Sequence, residues 1–166
     1  SFTVFADTET YNVETDEQLK TAIASASDGD IIKLAGTTFE GGIRIDKNIT
    51  LEGTLDEDGN CLTVLDGNNN SGSSYYYYSV YMNKGTVKDI KIINAWKGIM
   101  TEGTGSLTID NVEIVDACYG IHIAEAKNAE DTVLIQNCTI DIQWANSFTG
   151  GDYALVIKNN VFASTN

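Results

Sequence analysis

The spacing of hydrophobic residues separates one predicted helix from a long series of predicted strands. Four apolar residues recur at helical spacing and would form a single stripe: Leu19, Ala22, Ile23 and Ala26. Thr15 precedes this stripe as a candidate N-cap, and Gln18 completes a capping box. The pattern therefore predicts an amphipathic helix over residues 15–27.

Beyond the helix, the hydrophobic pattern changes to the period of two that is typical of strands. Four short apolar runs follow, separated by Gly, Asn or Asp: Ile31–Leu34, Ile43–Ile45, Ile49–Leu51 and Leu62–Leu65. Because proline is absent, the turns between them must use Gly, Asn and Asp. The chain is therefore predicted to be all-β apart from the helix.

The second half of the chain contains an internal repeat. Four segments align, and their central polar residues are Asp89, Asn111, Asn137 and Asn159; the segments are Val87–Ile92, Ile109–Ile114, Ile135–Ile140 and Ile157–Phe162. The steps between their positions are 111−89=22, 137−111=26 and 159−137=22. A second block, which begins Gly98-Ile99 and recurs at Gly120-Ile121, keeps the first of these steps, since 120−98=22.

The parity of the apolar residues indicates a bend inside each repeat. Leu107 and Ile109 are odd-numbered, whereas Val112 and Ile114 are even-numbered, so one straight strand would point them to opposite faces. A corner at Asn111 resolves this, since Asn tolerates the left-handed conformation. Three short strands per repeat of about 22 residues predict a solenoid of parallel sheets with about 4.8 Å between coils.

This stacking also predicts which side chains of neighbouring coils lie above one another. The corner Asn side chains would form a hydrogen-bonded ladder. On the outer surface Lys88 would lie over Asp110, and Lys91 over Glu113.

The chain resembles pectin-lyase-like right-handed parallel β-helix proteins over most of its length, and its first third resembles their opening. The resemblance is carried by Asp16–Ile23, Asp28–Leu34, Gly36–Phe39 and Asn48–Gly53. It implies one right-handed parallel β-helix domain over residues 1–166, with about six coils and an N-terminal capping helix. The domain is either complete or a fragment of a longer solenoid. The resemblance also implies a secreted or cell-surface location, as in bacterial-type extracellular proteins.

The resemblance implies that the Gly-Ile block belongs to the first sheet, whose outer face commonly forms a saccharide cleft. Met100 and Tyr78 each precede the corner residue of their repeat by 11 positions. His122 takes the same slot once four inserted residues are allowed, and Arg44 joins if its turn is two residues longer. Three coils separate Arg44 from His122, roughly 14 Å, which suits a groove for several sugar rings.

A polar and aromatic insertion at residues 67–78 interrupts the repeat and ends in four consecutive tyrosines. Tyr76 and Tyr78 are candidate sugar-stacking residues, and Glu102 is the nearest candidate carboxylate. The alternative is an ordinary strand in which Tyr77 is in the core and its two neighbours are on the surface. Trp96 and Trp144 fit turn packing better than sugar stacking.

The net charge of −14, from 24 acidic and 10 basic side chains, excludes nucleic acid and anionic membranes as expected partners. No apolar run reaches the roughly 18 residues of a membrane span. No basic segment followed by an apolar core opens the chain, so we expect that any signal peptide has already been removed.

The sequence predicts no metal or other cofactor. The chain has an odd number of cysteines, and their spacing does not match that of a zinc site. We therefore expect buried free thiols at Cys61, Cys118 and Cys138. The acidic run Asp56–Asn60 leaves calcium open, but it fails the EF-hand template, which favours a hairpin-like turn between Leu55 and Leu62.

The predicted cleft face lacks the groups that polysaccharide-cleaving enzymes need. It offers Glu102 and at most Glu125, without a cluster of Asp residues. The main hypothesis is therefore a non-catalytic extracellular module that binds a polysaccharide or glycan. The alternatives are a polysaccharide lyase or glycosidase, or its N-terminal part, and a structural or adhesin stalk. The uncapped last strand, Val161–Ala163, leaves truncation, end-to-end self-association and capping by loops open.

Overall fold

The computed structural model describes residues 7–68, 77–125, 128–142 and 153–157. Within these ranges the chain is all-β with one short helix, as predicted. The helix is α1 (Asp16–Ser25). The strands are β1 (Thr10–Val13), β2 (Ile31–Leu34), β3 (Thr38–Glu40), β4 (Ile43–Ile45), β5 (Ile49–Glu52), β6 (Val64–Asp66), β7 (Val80–Met82), β8 (Gly85–Thr101), β9 (Leu107–Ile123), β10 (Val133–Gln136), β11 (Thr139–Asp141) and β12 (Tyr153–Ile157).

Helix α1 lies inside the predicted range and begins at the predicted cap. The Gln18 backbone N–H donates to Thr15 Oγ1 at 3.3 Å, and the Glu14 N–H donates to Gln18 Oε1 at 2.7 Å. Leu19 and Ala22 of the apolar stripe are buried against β1 and β2. The helix thus covers one end of the core.

All pairs between the named strands are parallel, and the longest pair carries the sequence repeat. Strands β8 and β9 run in register from Gly85 opposite Leu107 to Thr101 opposite Ile123, so that partners differ in position by 107−85=22. The predicted offset of this repeat is therefore confirmed. The register stacks identical positions, so Ile92 lies beside Ile114 and both are fully buried.

The long strands bend at residues with left-handed backbone conformations. The predicted corners Asp89 and Asn111 have φ of 59° and 50°. A second pair of corners, which the sequence pattern did not predict, lies at Asn94 and Asp116 with φ of 53° and 56°. Each corner reverses which residues face inward, and this explains the parity change in the repeat.

Side-chain hydrogen bonds link the corners of neighbouring strands. Asn111 Nδ2 donates to Asp89 Oδ1 at 2.7 Å, which confirms this step of the predicted ladder. The ladder does not continue to Asn137, whose amide donates to Asp110 Oδ1 at 2.8 Å instead. The fourth predicted ladder residue, Asn159, lies outside the described residues.

The alignment of Ile157 with the earlier repeats is wrong, while residues 158–162 of the same alignment lie outside the described residues. Ile157 is the partner of Ile123, not the counterpart of Ile135. The number of residues between paired positions explains the error. On β9, Tyr119 follows Ile114 by 119−114=5 positions. Their partners, Tyr153 on β12 and Ile140 on β11, are separated by 153−140=13 positions. The difference, 13−5=8, is an insertion that displaces the count.

The predicted outer charge pairs are formed in one case and rearranged in the other. Lys91 Nζ lies 2.9 Å from Glu113 Oε1, as expected. Lys88 is opposite Asp110 in register, but its ion pair is with Glu52 at 3.0 Å. Glu52 also contacts Lys33 at 3.4 Å, so this carboxylate lies between two ammonium groups.

The segment between Leu55 and Cys61 is a hairpin-like turn, as predicted. These two residues form an antiparallel bridge, and Asp56 Oδ1 accepts the N–H groups of Asp58 and Asn60. The hydrogen bond from the Asn60 side chain is the main reason that the pKa of Asp56 lies below its ordinary value. The carboxylate is therefore used inside the turn.

All three cysteines carry free thiols. Cys118 is buried as expected, while Cys61 and Cys138 are half-buried. Burial raises the pKa of the Cys61 and Cys138 thiols, so they are predominantly protonated at neutral pH.

We predict that Gly53→Ala destabilises the chain by about 3 kcal/mol, at the upper end of overpacking costs. Gly53 lies beside the corner of the next strand, and an added Cβ would overlap the Asp89 carbonyl oxygen, which cannot move aside without breaking the pairing. Urea denaturation measures the effect. The control is Gly59→Ala, which meets no atom within 4 Å and adds only the strain of a φ of 86°; equal losses in the two variants would contradict this tight stacking.

We predict that Glu52 stabilises the fold by up to about 1 kcal/mol at pH 7 and that this contribution decreases as the pH falls below 4.5. Burial acts to raise the pKa of Glu52, but Lys88 and Lys33 outweigh it and hold the pKa below 4.5. A lowered folded-state pKa gives stability that is complete above the unfolded value and is lost as the pH falls through the folded one.

The test compares the unfolding free energies of the wild type and Glu52→Gln between pH 7 and 3. The two should converge on acidification, and Glu57→Gln in the exposed turn should show no such convergence. A constant difference between wild type and Glu52→Gln would contradict the ion-pair assignment.

Candidate functional site

Strand pairing places four of the chain's chemically distinctive side chains in one column. Arg44 pairs with Tyr81, Tyr81 with Met100, and Met100 with His122. Arg44, Met100 and His122 therefore share a column, as predicted. The spacing at Arg44 differs from the expected one: a turn two residues longer would place Arg44 more than 11 positions before the corner. Arg44 instead precedes Gly53, which lies opposite the corner residue Asp89, by 53−44=9 positions. The prediction that Tyr78 stands in this register is wrong.

Turn length explains the error at Tyr78. Only three positions lead from Met82 to Gly85, whereas six lead from the equivalent Thr101 to Leu107, so counting back from the corner overshoots by three. Tyr78 is half-buried and packs against Tyr81, with ring centroids 5.3 Å apart. Tyr77, placed in the core by the alternative interpretation, is 38% exposed. Tyr76 lies outside the described residues, as does Trp144.

The first group on this face, here named the arginine cluster, consists of Arg44, Tyr78, Tyr81 and Glu102. Arg44 Nε donates to Asp46 Oδ2 at 3.0 Å, and the guanidinium carbon lies 4.3 Å from the centre of the Tyr81 ring. The hydrogen bond to Asp46 is the main reason that the pKa of Arg44 is raised. The guanidinium thus has both an ionic and an aromatic partner.

Hydrogen bonds fix the far side of the arginine cluster. The Tyr81 hydroxyl donates to Glu102 Oε1 at 2.9 Å and accepts from Asn83 Nδ2 at 3.2 Å. Asn83 Oδ1 in turn accepts the Glu102 N–H at 2.8 Å. Burial, followed by the bond to Glu102, raises the pKa of Tyr81. Glu102 is therefore held in place by Tyr81 and Asn83.

Met100 does not present its side chain to a ligand. It is 0% exposed and packs in a small cluster with Tyr81, Ala124 and Tyr78. The expected ligand contact at this residue is therefore corrected to a packing role. The same cluster closes the middle of the predicted groove.

The second group, here named the aromatic cleft, surrounds a cavity of about 490 Å³ at the other end of the column. Tyr119 is the central member of this group. Its ring stacks on that of Tyr153, with centroids 5.9 Å apart and an interplanar angle of 12°, and on that of His122, at 5.8 Å and 26°. Trp96 meets the same ring edge-on at 5.8 Å and 76°. Four aromatic rings therefore line one cavity.

The remaining wall of the aromatic cleft combines buried polar groups with aliphatic side chains. Lys97 and His122 are only 3% and 4% exposed, and both line the cavity. Lys97, Tyr119 and Tyr153 occupy one register column, beside the Met100–His122 column. The rest of the lining is Leu155, Val156 and Ile157.

Most of this cleft lies outside what the sequence pattern predicts. The pattern assigns no role to Lys97, Tyr119 or Tyr153, and it favours turn packing for Trp96. One signal is present: Tyr119 follows Lys97 at the step of the repeat, since 119−97=22. Tyr153 cannot be found this way because the insertion between Ile140 and Tyr153 hides its register.

Within the described ranges there is no group of three or more His, Cys, Asp or Glu residues that could hold a metal ion. No helix in the same ranges has the length and apolar character needed to cross a membrane. No protein-family model matches the chain, and no curated protein matches it either.

We predict that Met100→Ala costs about 2–5 kcal/mol of stability, whereas Met100→Leu costs less than about 1.5 kcal/mol. The reason is that a fully buried side chain is removed in the first variant and replaced by one of similar volume in the second. Thermal or urea denaturation measures both. A near-neutral Met100→Ala would contradict the packing role and restore Met100 as a candidate ligand contact.

Proposed function

We propose that this chain is a right-handed parallel β-helix module of the pectin-lyase-like kind, secreted or displayed at a cell surface, that binds a glycan without cleaving it. The glycan site is the aromatic cleft, extended toward the arginine cluster. The single observation that carries the proposal is the cavity of about 490 Å³ lined by Trp96, Tyr119, His122 and Tyr153.

The parallel pairing supports the β-helix architecture. Strands β8 and β9 repeat at the constant offset of 107−85=22, and each contains two corners at corresponding positions. Three separate stretches of β9 then receive β10, β11 and β12 in the same parallel sense. Crossovers between parallel strands are almost always right-handed, which favours the right-handed form.

The aromatic cleft supports glycan binding because sugar rings have apolar C–H faces that pack on aromatic rings. Tyrosine and tryptophan also supply hydroxyl and indole groups that hydrogen-bond to sugar hydroxyls. A pocket with mainly aromatic and aliphatic walls and a few buried polar groups is the usual form of a small-ligand site. Lys97 and His122 are those polar groups here.

The described lining of the cavity supports binding without hydrolysis. Glycosidases generally need two carboxylates roughly 5–10 Å apart across the scissile bond. The described lining of the cavity contains no carboxylate. Glu102, on the same face, accepts a hydrogen bond from the Tyr81 hydroxyl.

The second candidate function is polysaccharide elimination, and one observation favours it. Lys97, Tyr119 and His122 are titratable groups in a single cavity, and such groups can abstract or donate a proton. Incubation with uronate polymers, with and without Ca²⁺, followed by ultraviolet absorbance of unsaturated products, tests this function. No absorbance change would remove it.

We predict that a glycan array identifies at least one ligand and that Trp96→Ala weakens its binding by about fivefold to tenfold. This corresponds to about 1–1.4 kcal/mol, the range expected for loss of one aromatic contact. Tyr78→Ala should weaken binding of longer oligosaccharides only, because Tyr78 belongs to the more distant arginine cluster. Isothermal titration calorimetry measures both effects.

The matched control is Tyr77→Ala, which removes an exposed tyrosine outside the described lining of the cavity. Circular dichroism checks that each variant remains folded. If neither acidic nor neutral glycans bind the wild type, the proposed function is wrong.

A further inference from the structure

We propose that the end of the fold formed by β10, β11 and β12, here named the open end, is an interface with a second copy of this chain. The two copies meet open end to open end across a two-fold axis and form a closed dimer. The proposal goes beyond glycan binding and rests on the β-helix architecture of the proposed function.

Apolar side chains of the inward rows lose their cover at the open end. Leu155 continues the row that contains Ile99 and Ile121, which are both fully buried, yet Leu155 is 39% exposed. The other inward positions show the same change from a buried residue of β9 to a half-buried partner: Leu107 to Val133, Ile109 to Ile135, Ile114 to Ile140 and Ile123 to Ile157. The described core therefore ends in an apolar surface.

The strand edges of the open end are not protected against pairing with another chain. Within the described residues, β10, β11 and β12 each have β9 as their only strand partner. Exposed edges of monomeric proteins usually carry charges or proline that prevent such pairing. These three strands contain no proline, and Asp141 is their only charged residue. Although the chain has a net charge of −14, the strands themselves add little repulsion between two copies.

Helix α1 covers the opposite end of the fold. Leu19 and Ala22 are buried there, and Asp16 Oδ1 accepts the Glu40 N–H at the edge of β3 at 2.9 Å. The exposed residues of the helix are polar or small: Glu17, Gln18, Lys20, Thr21, Ala24 and Ser25. This end therefore offers a second copy neither an apolar surface nor an unprotected edge at β3.

A two-fold axis across the open end matches its two features. A partner must supply apolar surface together with free strand edges, and the open end of a second copy has both. Rotation by 180° reverses the strand direction, so the edges of the two copies meet in the antiparallel sense, which forms good hydrogen bonds. Such an interface uses the same surface on both copies. Because α1 covers the far end of each copy, no third copy can add and the assembly closes at two.

The test is the mass of the whole chain in solution, measured by sedimentation equilibrium from about 1 µM to about 1 mM, the range of weak to moderate affinity. We expect a species of 18.0 kDa to convert with concentration to one of 2×18.0=36.0 kDa and to nothing larger. A monomer at every concentration overturns the proposal. Species that keep growing with concentration overturn the closed two-fold arrangement.

Hydrogen exchange locates the contact without any substitution. Amide protection of β10, β11 and β12 should increase as the dimer forms, while that of β1, at the end covered by α1, should stay constant. Increased protection of β1 would assign the contact to the opposite end and overturn the proposal. Protection of β10–β12 that does not change as the dimer forms would show that the open end is not the interface.

A charge at the open end tests the same contact by substitution. Leu155→Lys should raise the dissociation constant of the dimer about a hundredfold, at about tenfold for each copy, because the two-fold axis places the new charge on both sides. The matched control is Leu62→Lys, at a leucine that is 45% exposed and lies beside Gly36, between β2 and β3. Circular dichroism checks that both variants are folded. Equal dissociation constants for the two variants would overturn the proposal.

The dimer and the proposed function fail separately. Glycan titration of the wild type is read independently of its mass. A monomer that binds a glycan overturns the dimer alone, whereas a dimer that binds none overturns the proposed function alone.

Discussion

The in-register parallel pairing of β8 with β9 is the interaction on which the rest of the structure depends. Each residue of the first strand lies beside its counterpart one repeat later, so apolar residues stack on apolar residues through two corners. The corners hold because Asp89, Asn94, Asn111 and Asp116 adopt left-handed conformations that larger side chains avoid. A slip of one residue would turn the inward side chains outward, which makes this register costly to change.

The same register creates the candidate site. Identical outward positions are brought about 4.8 Å apart, so residues distant in sequence form columns on one face. Arg44, Tyr81, Met100 and His122 form one column, and Lys97, Tyr119 and Tyr153 form another beside it. Burial then divides the face: Met100 is closed over by its neighbours, while the cavity at Tyr153 stays open. The aromatic cleft is thus a consequence of stacking and not of any single loop.

Much of the fold could be predicted because the same residue types recur at the period of the structural repeat. The step from Asp89 to Asn111 and the pair Lys91–Glu113 both follow from spacing, and both are present. The site could be predicted only in part, since turn lengths between corners vary. A shorter turn puts Tyr81 in the column instead of Tyr78, and an insertion conceals Tyr153. The burial of Met100 could not be predicted from the sequence either, because it depends on packing by Ala124 and Tyr78.

The most direct test of the account is whether a ligand changes the environment of the cleft aromatics. Nuclear magnetic resonance titration with the oligosaccharide that binds tightest would follow the Trp96 indole N–H and the ring signals of Tyr119 and Tyr153. If the aromatic cleft binds the ligand, these signals should show saturable shifts with one common Kd, while the ring signals of Tyr11 on β1 stay in place. Saturable shifts confined to residues outside the aromatic cleft would contradict it.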